Sequence, residues 1–336
     1  MFTTNDEKIN GFLFVIILPF LLYFMSYYGF ESSYTRLKTS ERPPDFLFHS
    51  VYAYRVIPNY ISVKMTDFME YLILYKCSFI KDFLSKNGTP FYHGLFLVNS
   101  FFFMLCSLVI NALLKLNPSD FIYDIRVRRM IHLLSVFLIV ITQYAPTNCD
   151  TIALFCYLSG VYLTFKYYLT RNPKFYIFLV VLIAISTFVR ETACLNIAFF
   201  AAVFICLSEI KLLRLRSVLP VIPLIFGFII PYLGLRQMIA NEEITFVEGF
   251  YINRNFTSPF NLAGFIFACI VMYFIYRLCA EAFNKRVMKK YVFFSLPYLF
   301  MITMVGLFWE IRLFLPLFLT CIIVAFYQFD NLKPKL

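Results

Sequence analysis

Long apolar runs alternate with short basic connections along almost the whole chain. The run from Gly11 to about Tyr28 is long enough to cross a bilayer core at 1.5 Å per helical residue. Further runs at roughly 94–114, 130–146, 151–169, 174–190, 192–208, 217–235, 261–279, 291–309 and 312–328 bring the number to ten. The pattern predicts an all-α fold, a polytopic membrane helix bundle of about ten transmembrane helices, as one domain over residues 1–336. Several runs approach the lower length limit, so a pair of them could be re-entrant. The first run is too long for a removable signal peptide and lacks a small-residue cleavage site.

One stretch breaks the alternation. From Phe30 to His93 the chain is mixed polar, aromatic and charged, and a loop of that length is usually functional or disordered. Its aromatic content and lack of low-complexity runs argue against disorder. Within it, residues 64–86 carry Asp67, Glu70, Lys76, Lys81 and Asp82, which make insertion expensive. Met65, Phe68, Leu72, Phe79 and Phe83 recur at helical spacing, which predicts one or two interfacial helices lying along the membrane surface.

Charge then orients the bundle. With the N-terminus cytoplasmic, the inward connections hold Lys115, Arg126, Arg128 and Arg129; Lys166, Arg171 and Lys174; and Lys211, Arg214 and Arg216. The remaining inward charges are Arg277, Lys285, Arg286, Lys289 and Lys290, then Lys333 and Lys335. The short outward connections hold Arg190, Arg236, Arg254 and Arg312. This is the positive-inside pattern, and it predicts both ends in the cytoplasm with Phe30–His93 as a long first outer loop.

Composition agrees. Hydrophobic residues make up 61% and charged residues 15%, with a mean hydropathy of +0.76, far from the balance of a water-soluble domain. The net charge of +11 sits in clusters between apolar runs, not in the continuous basic face that nucleic acid requires. The nine cysteines show no CxxC pairing and no metal spacing with the histidines, so no metal site or cofactor is expected; buried thiols are the simpler reading.

The unusual ionisable residues collect on the predicted outer side. Glu31 follows the first run, and Asp45, Tyr54 and Arg55 lie further into the loop. Asp150 ends PTNCD at the start of the fourth run. Arg190 and Glu191 form the RET turn between the fifth and sixth, and Glu310 and Arg312 cap the turn between the ninth and tenth. Charges at the ends of tightly connected spans usually face a bundle interior or a wet cavity. Each has a plainer alternative: structural ion pairs for Arg190–Glu191 and Glu310–Arg312, a helix N-cap for Asp150, a headgroup anchor for Arg55, solvated loop acids for Glu31 and Asp45. Their convergence on one side suits group transfer from a lipid phosphate. An acid would take the acceptor's proton, and arginines would hold the departing phosphate.

The layout resembles that of bacterial multispanning glycosyltransferases of the GT-C superfamily, which use polyprenyl-phosphate sugars on the outer face. The shared features are a cytoplasmic N-terminus, a long first outer loop with surface helices, and an acid just beyond the first span, here Glu31 followed by Tyr34. The segments YRVIP, PTNCD, RETA and WEIR are similar to those of uncharacterised envelope-polysaccharide membrane proteins. The resemblance implies a polyprenyl-phosphate sugar donor and a glycan or glycolipid acceptor, in a bacterial inner membrane with a periplasmic active face. It implies Glu31 or Asp45 as base and Arg55, Arg190 and Arg312 as phosphate ligands, with Tyr54, Asp150, Glu191 and Glu310 completing the site. The acidic doublet common after the first span in many relatives is absent, and there is no DxD.

Two other classes fit the same features. A polysaccharide polymerase of the O-antigen type also joins lipid-linked sugars on the outer face, but usually places its largest outer loop later and relies on arginines. A flippase or transporter predicts discontinuous spans with mid-bilayer charges. A lipid acyltransferase finds no support in three dispersed histidines. The sequons at Asn87 and Asn255 both fall on the predicted outer side and would matter in a eukaryotic secretory pathway.

Overall fold

The computed structural model describes residues 4–29, 37–76, 78–143, 147–206, 217–239 and 249–329. These residues form helices and turns, with one isolated antiparallel bridge between Pro118 and Tyr327. The first helix, α1, runs through Thr4–Phe12, a π-turn at Leu13–Ile17, and Leu18–Gly29. Next come α2 (Val56–Tyr71), α3 (Lys81–Asn87), α4 (Pro90–Lys115), α5 (Asp120–Tyr123), α6 (Ile125–Thr142) and α7 (Asp150–Thr170). The second half holds α8 (Pro173–Thr187), α9 (Cys194–Phe204), α10 (Ile222–Met238), α11 (Ile252–Thr257), α12 (Pro259–Leu278), α13 (Ala282–Phe294), α14 (Leu296–Val305) and α15 (Leu315–Ala325).

Local chemistry sets the boundaries. Thr89 caps α4, its hydroxyl accepting from the Tyr92 N–H at 3.3 Å with Pro90 in the first turn. Asp124 and Asn172 cap α6 and α8 in the same way. In α1, Pro19 has no N–H to offer the Val15 carbonyl, and the helix widens into its π-turn there. Ser107 of α4 donates to that carbonyl at 2.6 Å, and His132 of α6 sits 3.0 Å from the same hydroxyl. One buried cluster thereby joins α1, α4 and α6.

The expectation of an all-helical membrane bundle holds. Five helices among the described residues are long and apolar enough to cross a bilayer: Lys8–Gly29, Pro90–Lys115, Asp150–Thr170, Leu219–Met238 and Pro259–Leu278. Other expected spans are shorter helices. The run 291–309 breaks at Ser295, the cap of α14, which has Pro297 in its first turn. The run 312–328 yields α15, whose 11 residues are all buried. α15 therefore forms the axis of the bundle, with α6, α7, α12 and α13 packed around it. Tyr157 of α7 meets Tyr291 of α13 and Thr320 of α15 through hydroxyl contacts of 2.5 Å each, so these buried polar groups satisfy one another.

The periphery has the opposite character. Phe226, Ile230 and Leu233 of α10 and Phe260, Ile266 and Phe274 of α12 are exposed. An apolar surface on so many consecutive turns is what lipid solvation permits and water penalises. In the long loop the expected helical stretch 64–86 is covered by the second half of α2, which starts earlier at Val56, a following π-turn at Leu72–Lys76, and α3. Phe68, Phe79 and Phe83 are exposed there. Met65 instead turns inward onto α4, where Gly94 lets the Met65 carbonyl approach to 3.2 Å from the position a Cβ would take.

Candidate functional site

Several turns bring the charged residues to one end of the bundle. After α8, the Val189 and Arg190 N–H groups donate back to the Ser186 carbonyl at 3.0 and 2.9 Å. Arg190 then leaves in an extended conformation into a single turn at Glu191–Ala193. The Ile57 N–H donates to the Phe188 carbonyl at 3.4 Å, which ties the first turn of α2 to this RET turn. Asn59 donates to the Tyr52 carbonyl at 2.9 Å and accepts from Asn148 at 2.9 Å, fixing YRVIP against TNCD.

The WEIR turn is held from two other sides. Buried Asn255 donates to the carbonyls of Thr303 and Gly306 at 3.1 and 2.8 Å and accepts from the Phe308 N–H at 3.1 Å. That amide is fully engaged, which leaves the Asn255 sequon no free nitrogen. Gly264 of α12 lies so close beneath the turn that a Cβ would stand 2.5 Å from the Phe308 carbonyl oxygen and 2.7 Å from Trp309 Cα. Tyr298 of α14 donates to the Leu313 carbonyl at 3.0 Å.

Between these turns lies a cavity of about 480 Å³ whose walls include Arg55, Arg190, Arg236, Arg312, Asp150, Glu191 and Glu310. Four guanidinium groups face three carboxylates, a formal surplus of one positive charge. Tyr52, Tyr232, Tyr251 and Tyr298 supply aromatic walls.

Two sub-networks divide the cavity. Asp150, its side chain only 1% exposed, bridges Arg190 and Arg312; the contact to Arg312 is 3.0 Å, and the Thr147 N–H donates to the same carboxylate at 2.8 Å. Arg312 also donates to Glu310 through Nη2 at 3.0 Å and Nε at 3.2 Å. This half is a closed, charge-assisted network. The other half is looser. Glu191 stands 3.9 Å from both Arg55 and Arg236, at the edge of ion-pair contact. The Arg55 guanidinium lies 4.3 Å over Tyr52 and donates to the Cys149 sulfur at 3.3 Å, while its buried Nε has no partner. Arg236 lies 3.9 Å over Tyr232 and 4.3 Å over Tyr54. Burial works against the charge on Arg55, but the Cys149 sulfur, Glu191 and Tyr52 outweigh it and hold the guanidinium above its ordinary range.

The cavity thus gathers Arg55, Asp150, Arg190, Glu191, Glu310 and Arg312. Tyr54 stands behind Arg236 as a ring under its guanidinium. Asp150 opens α7 without capping it: the cap position belongs to Cys149, and the carboxylate turns to the arginines. Asp45 lies away from the cavity walls, exposed and 3.5 Å from Arg42. Glu31 and Tyr34 lie outside the described residues. Arg236 was not among the expected site residues; its signal was its place among four arginines on the predicted outer connections, three of which line this cavity. The fourth, Arg254, sits on α11, where its carbonyl accepts from Asn261.

Chemically, the walls offer many rigid N–H donors and few acceptors not already engaged by arginine, which suits a phosphate or other oxyanion. Among the described residues no group of three or more His, Cys, Asp and Glu is arranged to hold a metal ion. Comparison with protein-family models, with curated proteins and with solved structures finds no match for the chain.

Proposed function

We propose that this protein is a membrane transferase that moves a sugar from a polyprenyl phosphate to an envelope glycan or glycolipid. The reaction would run on the outer face of a bacterial inner membrane, in a bundle of ten spans with both ends cytoplasmic. The observation that carries this reading is the arginine-lined cavity, with its surplus positive charge, at one end of an apolar bundle. The four guanidinium groups exceed the three carboxylates they pair with by one charge, and that surplus favours an anionic oxyanion over a neutral substrate.

In the transfer step the acceptor hydroxyl oxygen attacks the anomeric carbon while the bond from that carbon to the phosphate oxygen breaks. The bonding pair leaves with the phosphate, whose growing charge Arg55 and Arg236 neutralise. The acceptor proton passes to a carboxylate. Glu31, which follows the first helix in the chain, is the proposed base; Asp45, exposed and off the cavity walls, is the weaker alternate. Among the described carboxylates of the cavity, Glu191 has the longest ion-pair contacts and is the best placed to take a proton. Asp150 and Glu310 orient Arg190 and Arg312.

A polysaccharide polymerase of the O-antigen type is the second reading, and the excess of arginines over carboxylates in the cavity favours it. Mass spectrometry of lipid-linked and surface glycans separates the two. Cells lacking the protein would be compared with cells carrying wild type, Glu31→Ala, Glu191→Gln or Arg55→Gln. Loss of one sugar, restored by wild type but not by well-expressed variants, supports the transferase. Collapse of long chains to single repeats supports the polymerase. Unchanged glycans refute both and leave transport of a lipid-linked substrate.

A further inference from the structure

The surplus positive charge of the cavity is unevenly placed. In the closed half, Arg190 and Arg312 stand against Asp150 and Glu310, so the formal charges cancel. In the loose half, Arg55 and Arg236 share one carboxylate, Glu191, and the whole surplus of one charge falls there.

The two arginines of the loose half are set by other groups. Arg236 is stacked on the rings of Tyr232 and Tyr54, at 3.9 and 4.3 Å, contacts that set its plane. Arg55 is set by the Tyr52 ring and by the Cys149 sulfur, which accepts from Nη1 at 3.3 Å. That leaves the edge formed by Nε and Nη2. Arg312 presents the same edge to Glu310 and closes on it at 3.2 and 3.0 Å. On Arg55 the buried Nε has no partner, and Nη2 is 3.9 Å from Glu191. Glu191 is also 3.9 Å from Arg236, beyond hydrogen-bond distance of both guanidinium groups. It extends from the turn at Glu191–Ala193 to the cavity wall with 21% of its side chain exposed. It therefore supplies charge to the loose half without closing a hydrogen bond to either arginine.

A charge in that position bears on which oxyanion fits. In the transfer step a phosphodiester with one negative charge becomes a phosphomonoester with two, and the acceptor's proton goes to the proposed base, Glu31. With Glu191 ionised, the diester brings the loose half to neutrality, and the monoester leaves it with one negative charge too many. Like charges then face each other where water screens them poorly. Without Glu191 the two guanidinium groups would match the monoester instead. We propose that Glu191 determines the charge specificity of the cavity: by holding the loose half to a single surplus charge, it favours a singly charged phosphodiester and loosens the grip on the doubly charged phosphomonoester that transfer leaves behind. This rests on the transferase reading and adds the residue that discriminates donor from product.

The test uses full-length protein in phosphatidylcholine nanodiscs, titrated by calorimetry with two probes at about pH 8. Dimethyl phosphate carries one charge there, and monomethyl phosphate carries two, above its second pKa of about 6. Glu191→Gln should raise affinity for dimethyl phosphate by about threefold and for monomethyl phosphate by about tenfold, because the repulsion removed scales with the charge of the ligand. Glu191→Asp, which keeps the charge, should hold the ratio of the two affinities within about twofold of wild type. A merely structural role predicts the opposite sign, since loss of a positioning contact weakens both probes. The assignment is overturned if Glu191→Gln weakens either probe, leaves both unchanged or strengthens them equally, or if Glu191→Asp behaves like Glu191→Gln. In each of these cases, loss of binding in Arg55→Gln and Arg236→Gln keeps the transferase reading alive. If neither probe binds wild type or Glu191→Gln, or if the arginine variants bind both probes as wild type does, the transferase reading fails and the role of Glu191 with it.

Discussion

Asp150 is the residue on which the closed half of the cavity depends, and replacing it tests the electrostatic account directly. Its side chain is 1% exposed between Arg190 and Arg312, which are themselves 14% and 20% exposed. Removing one partner of a buried ion pair costs about 3–5 kcal/mol, because the other charge is left in a medium that solvates it poorly. Two features pull the figure toward the lower bound. Arg312 keeps Glu310 at 3.0 Å, and both guanidinium groups reach the cavity. Against this, the Thr147 N–H loses its acceptor, worth about 1 kcal/mol. Asp150→Ala should therefore cost about 4 kcal/mol, and Asp150→Asn, which keeps an acceptor for Thr147, about half of that. At about 2 °C per kcal/mol, Asp150→Ala lowers the thermal midpoint by about 8 °C, measured by circular dichroism on detergent-solubilised protein. Asp67→Ala is the internal control. Its pair with Lys64 spans 3.7 Å with both side chains 61% exposed, and such pairs contribute about 0–1 kcal/mol. Adding Arg190→Met to Asp150→Ala should recover part of the loss, since the stranded charge is gone. Equal shifts for Asp150→Ala and Asp67→Ala, or a double variant no better than the single, would refute the reasoning.

Two further outcomes follow from the geometry. In Gly264→Ala the new methyl meets backbone on the WEIR turn, where nothing can swing aside, so the variant should lose about 1–3 kcal/mol and shift the Trp309 emission; an unchanged midpoint and spectrum would mean that α12 is not seated beneath the turn. For Arg55 the sign of the pH effect is fixed by a folded-state pKa above its ordinary value. The stability it adds is fully present below the ordinary value and is lost only as pH rises through the higher folded one, so the midpoint difference between Arg55→Gln and wild type should be constant from about pH 6 to about pH 9. A difference that shrinks within that window would show that the guanidinium is losing its proton.

How much of the fold the sequence discloses depends on how each helix is solvated. The first, fourth, seventh and twelfth helices, and the tenth together with the turn that leads into it from Leu219, are apolar over 20 residues or more, and each matches one of the apolar runs. Hydropathy serves less well for α15. An interior helix surrounded by protein on every side is as apolar as a lipid-facing one, and its 11 residues blend with the flanking turns into an apparent span. The break at Ser295 is similarly hidden, because Ser and Pro within an apolar window barely alter its mean. The loop helices were legible for a different reason: Phe68, Phe79 and Phe83 recur at helical spacing although charges at Asp67, Lys76, Lys81 and Asp82 make insertion expensive.

The site shows the same division between what a linear pattern encodes and what packing decides. Arg190, Glu191, Glu310 and Arg312 announce themselves, because a charge in a tight turn between apolar runs has few places to go except the bundle interior. Arg236 sits in the last turn of α10 instead, and LRQMI offers no neighbouring acid to pair it with. Its importance comes from Tyr54 and Tyr232, which lie far apart in the chain and meet only once α2 and α10 are packed. Asp150 reads from sequence as a helix cap, since an Asp before an apolar run usually is one. The packed turns redirect it, because Cys149 takes the cap position and two arginines from distant turns claim the carboxylate. Asp45, in contrast, has everything a sequence reading asks of a catalytic acid, including its position in the long loop. It lacks burial and a distant partner, and its nearest cation, Arg42, is three residues away. A charged partner distant along the chain marks six of the seven charged cavity residues, while Glu310 joins through Arg312, its near neighbour in sequence. Asp150 reaches Arg190 and Arg312 across 40 and 162 positions, and no window of sequence contains that information.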